Sequence, residues 1–366
     1  MSNYPICEVD TPDPWMLEFQ GKFYLTFTLG NRVEIWSSRS MEDFRGCEKT
    51  LAWNPALGSP WSADIWAPEL HYVDGRWYVY FCAAQPGKGN ASHRTLMLRS
   101  ESQDPMDGSP GTWQFLGPVR GLPNHWHIDA TVFRPVPNEL YICYSGWPLG
   151  DHSDTQQDLF IMQMANPEEA VPGTLTCVSR AQLPWERPDG GRRGVNEGPT
   201  WLSIPGFQGF VYSANGSWTS DYQLGLVRWT GGNPRDERSW QKRHTPLLVS
   251  DRAVGGPFGP GHASFILSPY SNNMIFCIYH ATERHGEGWN NRKARVLCLR
   301  PDNFHPSAPP VCCANGLQMN PPTGPRPAAR QRNVFEQQQQ YKQQQQQQQQ
   351  QEKGFMGRVM RKLNNF

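Results

Sequence analysis

The chain has 366 residues and a formal net charge of +1, so it lacks the basic field that attracts nucleic acid. No apolar run approaches the ~18 residues of a membrane span, and we expect no membrane association. Glycine (34), proline (33), tryptophan (15) and phenylalanine (17) are abundant, which favours many short strands over long helices. A neutral chain rich in aromatic side chains suits an uncharged ligand with apolar faces, such as a sugar.

The nine cysteines show no C-x-x-C spacing and fall within apolar strand patterns, as expected of reduced cysteines in a cytosolic protein. The first residues, MSNYPICEVDTPDPW, show neither the basic start nor the apolar core of a secretory signal. We therefore expect a cytoplasmic protein, or a secreted one if the N-terminus is incomplete.

Five aromatic-rich segments that each follow a short polar turn predict five equivalent strands. Their starts lie 54, 63, 71 and 63 residues apart. They are GKFYLTFT from Gly21, GRWYVYFCAA from Gly75, NELYICYSGW from Asn138, GFVYSANGSW from Gly209 and NNMIFCIYHAT from Asn272.

A short motif with a polar residue precedes each of these strands, and a third strand-like segment follows it. The motifs are DPW at Asp13, WAPEL at Trp66, IDATV at Ile128, NEGPT at Asn196 and GPGHASF at Gly259. Three or four strands that recur five times predict an all-β fold, a five-bladed β-propeller. The innermost strand of each blade lines the central channel, so the five polar residues should converge at one channel mouth.

The repeat stops near residue 305, and we place the propeller domain at residues 5–310. Residues 311–366 are rich in proline and then in glutamine, a composition that predicts a disordered tail. The last fifteen residues could form a basic amphipathic helix, although a solvated tail is the favoured interpretation. Part of the tail could instead close the fifth blade against the N-terminus.

Five polar residues stand in apolar strand contexts: Asp13, Glu69, Asp129, Glu197 and His262. One such residue would be read as structural, but five at equivalent blade positions point to function. Glycoside hydrolysis requires one carboxylic acid that protonates the leaving oxygen and one carboxylate that activates water or attacks the sugar. Aromatic walls would stack on the sugar, and these tryptophans flank the motifs: Trp15, Trp66, Trp126, Trp147, Trp201 and Trp218. Among them, Trp66 and Trp147 are the predicted substrate-binding residues.

The chain resembles glycoside hydrolase family 43, the five-bladed propeller family of α-L-arabinofuranosidases, arabinanases and β-xylosidases. The resemblance runs from about Asp13 to Arg300 and rests on the order of DPW, WAPELHYVDGRWYVYF, IDATVF, NEGPTWL, YSANGSWTSDYQLGL and GPGHASF. WAPELH, SGW, VNEGP and SDYQLGL are most similar to the exo-acting α-L-arabinofuranosidases of this family.

The resemblance implies a role for each carboxylate. Asp13 would be the general base, with Asp10 a poorer candidate because it precedes threonine instead of proline. Asp129 would tune and orient the general acid, which would be Glu197. Glu69 would be a structural group bonded to channel backbone. The chain has Ala130 where the family often has proline or glycine after the aspartate, which leaves the carboxylate unaffected.

Two further positions match the family less securely. His262 corresponds to a histidine near a central-channel cation, often calcium, which it would contact through water. Arg292 corresponds to a substrate-contacting arginine, and Arg295 competes for that role. No cofactor is implied for the chemistry itself.

We therefore expect an inverting glycosidase that releases terminal α-L-arabinofuranose from arabinan, arabinoxylan or derived oligosaccharides, and that acts as a monomer. A β-xylosidase or an endo-arabinanase of the same family is the nearest alternative, since the three carboxylates do not distinguish them. A carbohydrate-binding propeller without catalysis would lack a carboxylate. A scaffold of the WD-repeat or kelch type would show shorter, more regular repeats.

Overall fold

The computed structural model describes residues 4–268 and 273–314, in which nearly all regular structure is β-strand. The strands fall into five consecutive antiparallel blades. Blade one contains β1 (Trp15–Phe19), β2 (Lys22–Thr26), β3 (Val33–Ser38) and β4 (Glu48–Trp53). Blade two contains β5 (Ala63–Val73), β6 (Arg76–Ala84), β7 (Arg94–Ser100) and β8 (Trp113–Pro118).

The remaining blades follow the same order. Blade three contains β9 (His127–Phe133), β10 (Leu140–Gly146) and β11 (Gln156–Asn166), edged by β12 (Glu169–Ala170) and β13 (Thr176–Ser179). Blade four contains β14 (Gly194–Ile204), β15 (Phe207–Ala214) and β16 (Gln223–Trp229), edged by β17 (Trp240–Lys242) and β18 (Leu248–Val249). Blade five contains β19 (Phe258–Leu267), β20 (Ile275–Thr282) and β21 (Lys293–Leu299).

Tight hairpins join the first and second strands of blades one and two. Asp74 and Gly75 both have positive φ angles, 49° and 83°, as a two-residue type I′ turn requires. Gln20 and Gly21 repeat this geometry in blade one, with φ angles of 53° and 77°. These turns hold the strands in register and leave the opposite end of each first strand for the polar motifs.

The five blades close into a ring. The first strands contact one another in cyclic order, with β1 touching both β5 and β19. Five apolar clusters lie between successive blades. Each cluster contains residues from both of the blades that it joins. Representative pairs, one residue from each blade, are Ile35 with Val79, Tyr80 with Ile142, Tyr141 with Phe210, Val211 with Cys277, and Ile278 with Leu25. The predicted all-β propeller is thereby confirmed.

The N-terminal segment completes the fifth blade. The amide of Ile6 donates to the Ala294 carbonyl over 2.9 Å, and the amide of Thr11 donates to the Arg292 carbonyl over 2.8 Å. Residues 6–11 therefore lie along β21 and link the last blade to the first.

The described C-terminal residues pair with blade four and also contact blade five, where the Tyr279 hydroxyl donates to the Cys313 carbonyl. Strand β22 (Val311–Cys312) pairs in parallel with β18, and Cys313 is fully buried. Ordered structure thus continues to residue 314, four residues past the expected boundary at 310. The rest of the predicted tail, including the glutamine tract, lies outside the described residues.

Helical structure in the described ranges is limited to five 3-10 turns of three or four residues. No helix within residues 4–268 and 273–314 has the length and apolar character needed to cross a bilayer. All nine cysteines lie in these ranges as free thiols, and seven of them are buried.

Candidate active site

Each blade carries at least one residue with left-handed backbone geometry near the start of its first strand. The φ angles are 56° at Asp13, 45° at Ala67, 54° at Asp129, 53° at Gly198 and 46° at His262. In blades two to five this residue falls within a shift of the strand register, as in a β-bulge. A bulge re-aims side chains, and here it does so in four blades at the same end of the ring.

Three of the predicted residues meet around His262. Its Nδ1 atom lies 3.1 Å from Oδ1 of Asp13 and 4.0 Å from Oδ2 of Asp129. A Cβ atom on Gly198 would lie 3.1 Å from Cγ of His262, so glycine at this position lets the ring approach the backbone beside Glu197. The ring of blades therefore brings together residues from the first, third, fourth and fifth repeats.

The surroundings of Asp13 favour its ionised form. Thr28 donates a 2.6 Å hydrogen bond to Oδ2, and Nδ1 of His280 lies 3.6 Å from Oδ1. Burial alone would raise the pKa of Asp13, but the charge and hydrogen bond of His262 and the hydrogen bond from Thr28 lower it well below 3.8. Its side chain is 21 % exposed, which gives the carboxylate access to water.

The other two carboxylates are more deeply buried and close enough to repel each other. The amide of Gly198 donates to Oδ2 of Asp129 over 3.0 Å, and Nε2 of Gln157 donates to Oε2 of Glu197 over 3.1 Å. Burial, and then repulsion from Asp129, raise the pKa of Glu197 far above its ordinary value. Burial and the Asp13 carboxylate also raise the pKa of Asp129, although the charge of His262 opposes them.

His262 supplies the positive charge among these groups. Burial alone would lower its pKa, but the carboxylates of Asp13 and Asp129 raise it to about 10. The site thus combines one ionised carboxylate, Asp13, with one protonated carboxyl group, Glu197. Two carboxyl groups whose pKa values are pushed apart can serve as base and acid in one reaction.

Comparison with known proteins agrees with this geometry. The profile described as Glycosyl hydrolases family 43 matches residues 2–306. The chain belongs to that family.

Several relatives of this family 43 chain carry specific names. An "Extracellular exo-alpha-(1->5)-L-arabinofuranosidase" of Streptomyces avermitilis is 31% identical over 71% of this chain and 52% of the relative. A protein of the same name from Streptomyces chartreusis is 30% identical over 72% of this chain and 77% of the relative. The chain spans about half the length of the first relative. The crystal structure of an alpha-L-arabinofuranosidase from Lactobacillus brevis superposes with a TM-score of 0.69 and 26% identity, covering 79% of this chain and 90% of that one.

The residues of the family 43 chain do not fit a directly coordinated calcium ion. The described residues contain no group of three or more His, Cys, Asp or Glu side chains placed to hold a metal. Nδ1 of His262 is paired with Asp13, and a protonated imidazole offers no lone pair to a metal. A calcium ion that His262 contacts through water stays a prediction.

The predicted substrate-binding tryptophans form one wall of aromatic residues. Trp66 stacks on His93 with ring centroids 4.0 Å apart, and Trp147 stacks on Trp126 at 4.8 Å. Trp147 is buried, its indole N–H has no partner among the described residues, and Trp66 is half-buried. Trp66 is therefore the better placed of the two to contact a ligand.

Arg292 lies within the protein, and its donors are directed at backbone. Nε donates to the Gly288 carbonyl, and the terminal nitrogens donate to the carbonyls of Gly259 and Ser217. Arg295, its competitor, pairs with Glu283. These bonds indicate that Arg292 positions two loops, and its predicted contact with substrate receives no support from the geometry.

Two other candidates form their hydrogen bonds with residues outside the His262 cluster. Glu69 is buried and bonds to Nε2 of His71 at 2.8 Å, so its partner is a side chain where channel backbone was expected. Asp10 is exposed and accepts from the amide of Asn291 over 3.0 Å. Asp10 therefore braces a turn of blade five.

One set of functional residues escaped the sequence analysis. In four blades a polar side chain in the second strand, or two residues beyond it in blade one, bonds to backbone in the next blade. Thr28 accepts from the Ala67 amide, Ser213 from the His262 amide and His280 from the Asp13 amide, while Ser145 donates to the Asn196 carbonyl. Each stands seven residues after a turn residue: positions 21, 138, 206 and 273 precede positions 28, 145, 213 and 280. That constant offset was the available signal.

Proposed function

We propose that the chain is an inverting, exo-acting α-L-arabinofuranosidase that releases terminal arabinofuranose from arabinan, arabinoxylan or derived oligosaccharides. The observation that carries the proposal is the meeting of Asp13, Asp129 and Glu197 around His262, with Asp13 held ionised and Glu197 held protonated. The names of the relatives from Streptomyces support the sugar and the exo mode.

Asp13 acts as the general base. It is ionised and reaches solvent, so it accepts a proton from a water molecule that attacks the anomeric carbon. Thr28 holds the second carboxylate oxygen and leaves the first near His262. The ion pair with His262 keeps Asp13 unprotonated in mildly acidic solution.

Glu197 acts as the general acid. Its proton goes to the glycosidic oxygen as the bond to the leaving group breaks, so that the departing group leaves as a neutral alcohol. Gln157 donates to one carboxyl oxygen and orients the group. Asp129 keeps Glu197 protonated through charge repulsion and is itself held by the Gly198 amide.

The number of protons on the two carboxyl groups is conserved over one turnover. Asp13 gains the proton that the attacking water loses, and Glu197 loses the proton that the leaving group gains. Both groups return to their starting states by exchange with solvent. Because water attacks from the face opposite the leaving group, the product has inverted configuration.

The expected partner is a pentose-containing glycan, and we propose a monomer. The cytoplasmic location expected from the sequence finds no support among the relatives, two of which are named extracellular. The alternative of a secreted enzyme agrees with those names and stays a prediction.

The test of this function measures hydrolysis of aryl α-L-arabinofuranoside, aryl β-xyloside and linear arabinan by the purified protein. Proton NMR in the first minutes should show release of the inverted anomer. A product of retained configuration would contradict the assignment of acid and base. Faster cleavage of the xyloside, or internal cleavage of arabinan, would favour a β-xylosidase or an endo-arabinanase.

Substitutions separate the two catalytic roles. Glu197→Gln should lower the rate ~10²–10⁴-fold for poor leaving groups and spare those that depart without a proton. Asp13→Asn should lower the rate for both, since water activation is needed whatever leaves. Asp10→Asn is the matched control and should leave both rates unchanged. Equal losses for both leaving groups in Glu197→Gln would contradict its role as acid.

A further inference from the structure

Two tryptophans outside the carboxylate cluster form an aromatic pair on the loops of blades four and five. Trp218 lies between β15 and β16, and Trp289 lies between β20 and β21. Their ring centroids are 6.1 Å apart at an interplanar angle of 69°. Trp289 is 68 % exposed, an unusual position for so large an apolar side chain.

Hydrogen bonds link the two loops that carry this pair. Arg292 donates to the carbonyls of Ser217 and Gly288, one on each loop, and Nε1 of Trp289 donates to Oγ of Ser217 over 3.1 Å. The Trp218 ring lies against Gly216, where a Cβ atom would come within 2.5 Å of it. The tryptophan pair is therefore held in place before any ligand arrives, which lowers the entropic cost of binding.

The loop of blade four begins and ends beside Glu197. Strands β14 and β15 pair Glu197 with Ser213, so the loop leaves the sheet two residues further on. At its far end Tyr222 is fully buried and interacts electrostatically with Glu197. The Arg292 guanidinium lies 5.7 Å from the Tyr222 ring, which connects the base of the tryptophan pair to the general acid.

We infer that Trp218 and Trp289 form a stacking subsite for the sugar on the leaving-group side of the scissile bond. This inference rests on the proposed function. A general acid must lie beside the leaving oxygen, so the leaving sugar occupies the side of the site from which the blade-four loop rises. The faces of a sugar ring carry C–H groups, which pack on indole rings.

The polar groups around the pair suit a hydroxylated ligand. The Arg193 guanidinium lies 5.8 Å from the Trp218 ring centroid. Its Nη2 pairs with Asp154 and its Nε with Asp189, which leaves Nη1 to donate to sugar hydroxyls. Trp66, on blade two, belongs to a different aromatic wall. The subsite is thus a feature of blades four and five, and it accounts for the buried Arg292 as a positioning residue.

The experiment compares two substrates that differ only in the leaving group. Methyl α-L-arabinofuranoside has no sugar in the proposed subsite, whereas α-1,5-linked arabinotriose fills it. Trp289→Ala should lower kcat/KM for arabinotriose about 5- to 10-fold, as expected for the loss of one aromatic stacking contact. The same variant should change kcat/KM for the methyl glycoside less than about 2-fold. Trp289→Phe should fall between the wild type and Trp289→Ala.

The control is Tyr4→Ala, which removes an aromatic side chain of similar exposure (74 %) from the N-terminal segment. It should affect neither substrate. Equal losses on both substrates in Trp289→Ala, or no loss on either, would overturn the subsite and leave the hydrolase function intact. A change of oligomeric state in Trp289→Ala, measured by light scattering, would assign the pair to a contact between copies and would also overturn the subsite.

A wild-type protein that cleaves neither arabinoside would instead overturn the proposed function. Binding of arabinotriose, followed by calorimetry, then tests the pair by itself. Weaker binding to Trp289→Ala than to wild type would support a sugar-stacking site, and equal binding would overturn it.

Discussion

If the proposed roles hold, the ion pair between His262 and Asp13 sets the pH range of activity. Replacing His262 with asparagine removes the positive charge and keeps a residue that tolerates the left-handed backbone at this position, where φ is 46°. In the proposed mechanism Asp13 must be ionised to activate water, so the acid limb of kcat/KM should follow its pKa in the free enzyme.

The distance between the charges gives the size of the effect. Two unit charges 3.1 Å apart interact with about 5 kcal/mol at an effective dielectric constant near 20. At about 1.4 kcal/mol per pKa unit, this corresponds to an upper limit of about 4 units. Both charges are spread over two atoms and Thr28 still donates to Asp13, so we expect a rise of about 2 units or more. The pKa of Asp13 would then lie near its ordinary value of 3.8 instead of well below it.

The assay is kcat/KM for an aryl α-L-arabinofuranoside between about pH 3 and 10. In His262→Asn the acid limb should move to higher pH by about 2 units or more. The alkaline limb should move the same way, because the charge of His262 also lowers the pKa of Glu197. The exposed His152 serves as control, and His152→Asn should leave both limbs in place. An acid limb that stays put or moves to lower pH would refute the charge on His262.

Three further substitutions test the packing around His262 and the buried polar contacts that stabilise the fold. Gly198→Ala should lower kcat at least 10-fold, because its Cβ would press on the His262 ring at 3.1 Å. Arg243→Ala should lower the free energy of unfolding by about 2–4 kcal/mol with kcat unchanged, since its guanidinium bonds carbonyls at residues 303–308 far from the carboxylates. Glu186→Gln should lower the free energy of unfolding by about 3–5 kcal/mol, because the ammonium of Lys242 loses the buried carboxylate that lies 2.7 Å from it.

Each of these has a matched control. Gly206→Ala introduces the same backbone strain, with φ at 82°, but meets nothing within 4 Å, so a similar loss of kcat there would show that the contact is irrelevant. Arg238→Ala removes an arginine whose side chain is 90 % exposed and should leave the chemical-denaturation midpoint unchanged. The double variant Glu186→Gln, Lys242→Met should lose less stability than the two single variants summed, and full additivity would argue against a coupled pair.

Local chemistry was enough to predict the blades. Strand alternation, aromatic content and turn residues such as Asp74 and Gly75 act over a few neighbouring positions, and their fivefold recurrence is visible in the sequence. The same recurrence singled out Asp13, Asp129, Glu197 and His262, because a polar side chain inside an apolar strand is costly unless it has a use.

The partners of those residues depend on closure of the ring. Asp13 and His280 are 267 residues apart, and they meet because the fifth blade packs against the first. Gln157 reaches Glu197 through the short parallel pairing of β11 with β14, which no local pattern encodes. The charge on His262 likewise depends on carboxylates brought in from other blades.

The role of Arg292 also could not be read from the sequence. Its sequence position was compatible with contact to substrate, and only the packed loops show its donors directed at the carbonyls of Gly259, Ser217 and Gly288. The sequence by itself determined the five strand repeats and the polar residue that opens each one, because those depend on short-range backbone preferences. The tertiary structure alone decided which side chains share a charge or a proton, because electrostatic energy depends on distances and burial that exist only after the five blades close.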